Sequence, residues 1–158
     1  MQGDDETFRV LLMVGMALVA LLWGFGAWLR PVAGWWRDGG RLIELTQVGP
    51  FVRGRSTWPG GAHAYRGRVF WGRLHLTRYD FGAQHLHSLG FSPEQIPLME
   101  GRATAYLILH LEGETRLSGK FYGRKFSFDK NRLVGATPVA PAERTWERTS
   151  RDEAQAQP

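Results

Sequence analysis

The sequence predicts a mainly β fold, a small antiparallel barrel or sandwich with one short helix, preceded by a single N-terminal transmembrane α-helix. Three observations predict it. Val10 to Leu29 is an uncharged, proline-free run of 20 residues. From Leu42 to Val134 dense glycine punctuation divides short apolar runs, the pattern of strands and turns. After Gly135 the chain becomes polar and proline-bearing. The 158 residues suit one domain, and 43% apolar with 22% charged residues excludes wholesale disorder. The absence of cysteine excludes disulfides, thiolate zinc sites, iron–sulfur clusters and cysteine nucleophiles.

Residues 1–9 form a short acidic tail, with Asp4, Asp5 and Glu6 against Arg9. As a helix, residues 10–29 would extend roughly 30 Å, the thickness of a bilayer core. Ten of them are Val, Leu or Phe, each contributing on the order of −0.3 to −0.6 kcal/mol on central insertion. Arg9 and Arg30 bracket the run, Pro31 ends it, and Trp28, Trp35 and Trp36 occupy the place of an interfacial aromatic belt. A cleaved signal peptide would have a basic start and a shorter core, so the segment reads as a signal anchor. Arg30, Arg37 and Arg41 follow the run and only Arg9 precedes it, which places the C-terminal domain in the cytoplasm. Ala20 and Gly24 have the small-xxx-small spacing that lets two membrane helices approach.

Residues 30–41 read as a juxtamembrane linker, 42–134 as the β domain and 135–158 as a disordered polar tail. Strands are expected over 42–47, 50–56, 63–71, 73–79, 102–112, 115–121 and 124–129. The strand at 102–112 is apolar on both sides and reads as central, with His110 in the core. A helix is expected between Asp80, as its cap, and Gly90, with Leu86 and Leu89 inward. Ser92-Pro93-Glu94-Gln95 predicts a further one-turn piece, stopped by Pro97. Gly67–Arg73 and Gly119–Arg124 resemble each other faintly, as two related hairpins or as chance in an arginine-rich chain.

The chain carries +5 overall, and +7 once the acidic first nine residues are set aside. A basic domain held near a bilayer faces anionic headgroups, where each Arg or Lys is worth about 1 kcal/mol. Along Arg68–Tyr79 the even positions Phe70, Leu74 and Leu76 form a core face. Arg68, Trp71, Arg73, His75 and Tyr79 form the candidate binding face, because aromatics interleaved with cations suit a polyanion. No metal site is assigned: His85 and His87 do not share a helix face, and no H-E-x-x-H spacing occurs. Nucleotide-binding glycine motifs and G-x-S-x-G are also absent. No cofactor is expected.

These observations predict a single-pass membrane protein whose β domain has a non-enzymatic structural, adaptor or assembly role. Its partners would be the bilayer, other membrane proteins or a second copy. A binding module for anionic lipid, nucleic acid or glycan is the first alternative. A membrane-tethered enzyme is the second, and it would need a pocket lined by His75 or His110 with a carboxylate.

Overall fold

The computed structural model describes residues 3–28 and 31–155, with side-chain surroundings over residues 8–21 and 31–153. A helix, α1 (Gly3–Trp28), is followed by strands β1 (Gly34–Asp38), β2 (Arg41–Val48), β3 (Phe51–Trp58), β4 (Gly61–Phe70) and β5 (Arg73–Phe81). Helices α2 (Ala83–Ser88) and α3 (Ile96–Met99) come next, then β6 (Ala103–Glu112), β7 (Arg116–Asp129), β8 (Arg132–Pro138), β9 (Ala142–Thr149) and α4 (Arg151–Gln155).

The strands run in the order β6-β5-β4-β3-β2-β1-β9-β7-β8, and β6 also pairs with β7. That pairing closes eight antiparallel strands into a barrel and removes their free edges. The first half of β7 belongs to the barrel wall. Its second half, from Arg124, pairs only with β8 and projects beyond it. Alternation along each strand sends Trp36, Ile43, Leu45, Val52, Tyr65, Leu74, Leu76, Leu107, Leu109, Leu117 and Trp146 inward, where all are buried. Gly67 and Gly119 allow the wall to curve. A Cβ at Gly67 would lie 1.7 Å from the His75 carbonyl oxygen, and one at Gly119 would lie 2.0 Å from that of Ile108. This glycine is what the two similar segments share. The first ends at a turn, whereas the second runs on through β7.

Several expectations are corrected. Residues 34–38, read as linker, form β1, and Trp36 is a core residue whose Nε1 donates to the Val32 carbonyl at 2.8 Å. Residues 135–158, read as disordered, supply the end of β8, all of β9 and α4, and Trp146 is fully buried. Ser150 and Glu153 cap α4 reciprocally, each side chain accepting the other's backbone N–H. Asp80 stays in β5 and does not cap α2, where Gly82 takes the cap position at φ 98°. Leu86 is buried, but Leu89 is exposed. Pro97 lies in the first turn of α3 and does not stop it. His110 faces outward and bonds Glu112 and Ser118.

Among the described residues no helix is long and apolar enough to cross a membrane. The side chains of α1 are described from Phe8 to Leu21, about 21 Å of helix at 1.5 Å per residue. All of them are exposed and none packs into the barrel core. Ala20 lies on this stretch, whereas the surroundings of Gly24 and Trp28 lie outside the described residues.

Candidate functional site

The two ends of the barrel differ. At one end the chain enters from α1, clamped by three contacts. Val32 N donates to Gln47 Oε1 at 2.8 Å, and Arg148 donates to the carbonyls of Pro31 (2.9 Å) and Ala33 (3.2 Å). The β2–β3 and β4–β5 turns lie at this same end. They present Val48, Phe51 and Trp71, which are 80%, 66% and 82% exposed. Trp71 holds φ 50° and Gly72 φ 69°. Such a pair makes a two-residue hairpin turn, but a bulky residue rarely adopts that conformation.

At the opposite end α2, α3 and the β7–β8 hairpin overhang the barrel mouth. Phe91, just after α2, packs edge-on against Phe126 and Phe128 of β7. Between them lies a cavity of about 610 Å³. Its walls carry four cations, Arg78, Arg124, Lys125 and Arg144, and four phenylalanines, Phe91, Phe121, Phe126 and Phe128. Its one acid is Asp80. Arg78 and Arg144 both stack on Phe121, at 5.0 and 5.3 Å. Arg144 also lies 3.9 Å from Asp38. Arg124 and Lys125 have no ion-pair partner among the described residues. The cavity is therefore electropositive, with apolar walls.

Asp80 leads from this cavity into a buried polar cluster. The β4–β5 register sets His63 opposite Asp80, and α2 brings His85 to both. His63 Nε2 lies 3.4 Å from Asp80 Oδ1, His85 Nε2 lies 3.6 Å from Oδ2, and the two Nε2 atoms are 3.3 Å apart. Arg78 Nη2 donates to Oδ2 at 3.1 Å, and its Nε stands 2.9 Å from Oδ1. That second contact is within ion-pair range but off-line for a hydrogen bond, so Oδ1 has no hydrogen bond among the described residues. Tyr65 Oη lies 3.3 Å from His63 Nδ1, and Trp58 packs edge-on against both imidazoles. Burial, with Arg78 and Arg41 nearby, pulls the His63 pKa down to about 2. Burial likewise lowers His85, against the opposing pull of Asp80. Both rings are neutral near pH 7.

The residues expected to bind lie elsewhere. Arg68, Arg73, His75 and Tyr79 share the outer wall of β4–β5, with Arg68 paired to His75, and Trp71 caps the turn at its end. His75 Nδ1 meets Tyr106 Oη at 2.5 Å. Arg66 lies 5.6 Å over the Tyr79 ring. The stripe is convex. Neither His75 nor His110 lines the cavity. No family model, curated protein or solved structure matches the chain.

Proposed function

We propose that this protein is a membrane-tethered, non-enzymatic binding barrel that takes an anionic, partly apolar ligand in its mouth cavity. The cavity carries this reading. Three cations beyond the Arg78–Asp80 pair give an electropositive lining, the phenylalanines supply apolar walls, and the volume is that of an ordinary small-ligand site. The tether is the apolar run from Val10 to Leu29, supported by its uncharged sequence and by the outward-facing apolar side chains of α1. Val48, Phe51 and Trp71 lie at the end where the chain leaves α1, so they rest on the bilayer, with Arg68 and Arg73 behind them near the headgroups. The cavity then opens into water at the far mouth.

A water-soluble aromatic anion tests the reading. Naphthalene-2-sulfonate, titrated calorimetrically into the full chain in nanodiscs, binds with one-to-one stoichiometry, and neutral 2-naphthalenemethanol binds more weakly. Arg144→Gln weakens binding about tenfold, since a charged hydrogen bond contributes about 1.5–3 kcal/mol, and Phe126→Ala weakens it by removing apolar wall, about 1.5–3 kcal/mol for a fully buried phenylalanine. Equal affinity for the two probes, or binding indifferent to both substitutions, refutes it.

A further inference from the structure

We infer that His63, Asp80 and His85 form a binding site for one divalent transition-metal ion of the zinc type. Zinc binds imidazole nitrogen and carboxylate oxygen at about 2.0–2.2 Å, and tetrahedral angles then set neighbouring donors roughly 3.3–3.5 Å apart. The two imidazole nitrogens are 3.3 Å apart, and they lie 3.4 and 3.6 Å from different oxygens of Asp80. An ion enters among these donors once the carboxylate turns one oxygen toward both imidazoles, and one ligand atom from each residue already lies within 4.8 Å of the others.

The chemistry of the donors agrees. Two imidazoles and one carboxylate give three protein ligands and leave a fourth position, the arrangement of open zinc sites. Asp80 is fully buried, yet its Oδ1 has no hydrogen bond among the described residues. Its contact with Arg78 Nε, 2.9 Å but off-line, leaves a lone pair of this buried oxygen to face an ion.

The surroundings hold these donors in place. Metal on His63 Nε2 requires the proton on Nδ1, where Tyr65 Oη stands 3.3 Å away to accept it. Arg78 fixes the carboxylate through Oδ2, and Trp58 braces both rings. Gly82, at φ 98°, turns the chain from β5 into α2. A Cβ there would lie 2.6 Å from the Gly60 carbonyl oxygen, the atom that also accepts the His85 N–H at 3.0 Å. His85 therefore reaches Asp80 through a bend that favours glycine. Arg78 and Arg41 oppose a dication electrostatically, which sets the affinity below that of a thiolate site and favours an anion as fourth ligand. The site stands on its own donors and does not depend on what the adjoining cavity binds.

Cobalt titration of the chelator-stripped full chain in nanodiscs tests the inference. One equivalent of Co²⁺ gives the intense visible absorption of a tetrahedral site, and one equivalent of Zn²⁺ abolishes it. Hyperfine-shifted proton resonances from two imidazole rings appear in the same unsubstituted sample, a readout that carries no folding risk. His85→Gln weakens Co²⁺ binding by at least about 100-fold. His87→Gln, an exposed change on the same helix, leaves it unaltered. Absence of stoichiometric binding, an octahedral spectrum, or shifted resonances from a single ring overturns the site. Undiminished binding in His85→Gln overturns it too.

Discussion

At the residue scale, two side chains show how environment changes the meaning of a sequence position. Trp71 read as part of a binding face, and nothing in a linear pattern reveals that it occupies a left-handed turn position with 82% of its surface exposed. Such a conformation costs a bulky residue about 1–3 kcal/mol, and no burial within the barrel offsets it. Trp71→Asn is therefore expected to raise the urea midpoint, by an amount equivalent to about 0.5–1 kcal/mol. The same change should weaken adhesion of the rim to anionic vesicles. A lowered midpoint would show that Trp71 packs against the barrel. His75 makes a different prediction. Burial first, then Arg68 and Arg73, lower its pKa below the ordinary 6.5. The unfolded chain then takes up a proton that the folded chain refuses, so this contribution to stability is complete above pH 6.5 and declines as pH falls below it. Nuclear magnetic resonance should place the His75 midpoint below 6.5, and His75→Gln should make the acid decline in stability shallower. A midpoint at or above 6.5 contradicts this account.

At the element scale, the strands with regular apolar alternation were legible, and β2 to β6 fall close to their expected bounds. The elements that escaped are the polar ones. Of the inward positions of β9, Ala142, Arg144, Trp146 and Arg148, only Trp146 is a large apolar residue and only it is buried. The arginines are accommodated by aromatic faces: Arg148 stacks on Trp36 at 4.6 Å and Arg144 on Phe121 at 5.3 Å. Periodicity in hydrophobicity cannot detect a strand whose inner face is completed by cation–π contacts. β1 was obscured in the same way by glycine and charge around Trp36. Trp146→Ala should destabilise by about 3–5 kcal/mol, read by urea denaturation. Truncation after Pro138 removes β9 and strips β1 and β7 of the partner that joins them, which opens the barrel, so the shortened chain should not fold cooperatively. A cooperative transition in that fragment would mean β9 is peripheral.

At the scale of the whole molecule, closure explains what the sequence concealed about the site. Fixing the β4–β5 turn at Trp71-Gly72 already sets Phe70 opposite Arg73 and, counting back, His63 opposite Asp80. That half of the cluster was within reach of register reasoning. The arrival of His85 was not, because it depends on Gly82 folding α2 back over the barrel end. The cavity depends on overhang by the second half of β7, which no local pattern marks. The resulting molecule is polar in the directional sense: an apolar rim where the chain enters from α1, and a cationic, phenylalanine-walled mouth at the other end. The absence of native cysteine permits a direct measurement of this arrangement. Single cysteines at Trp71→Cys and Lys125→Cys, in full chain reconstituted into anionic vesicles, are labelled with a water-soluble maleimide. The account predicts that the vesicles protect position 71, while position 125 reacts freely and slows when naphthalene-2-sulfonate is added. Equal labelling at both positions, unaffected by lipid and probe, would contradict it.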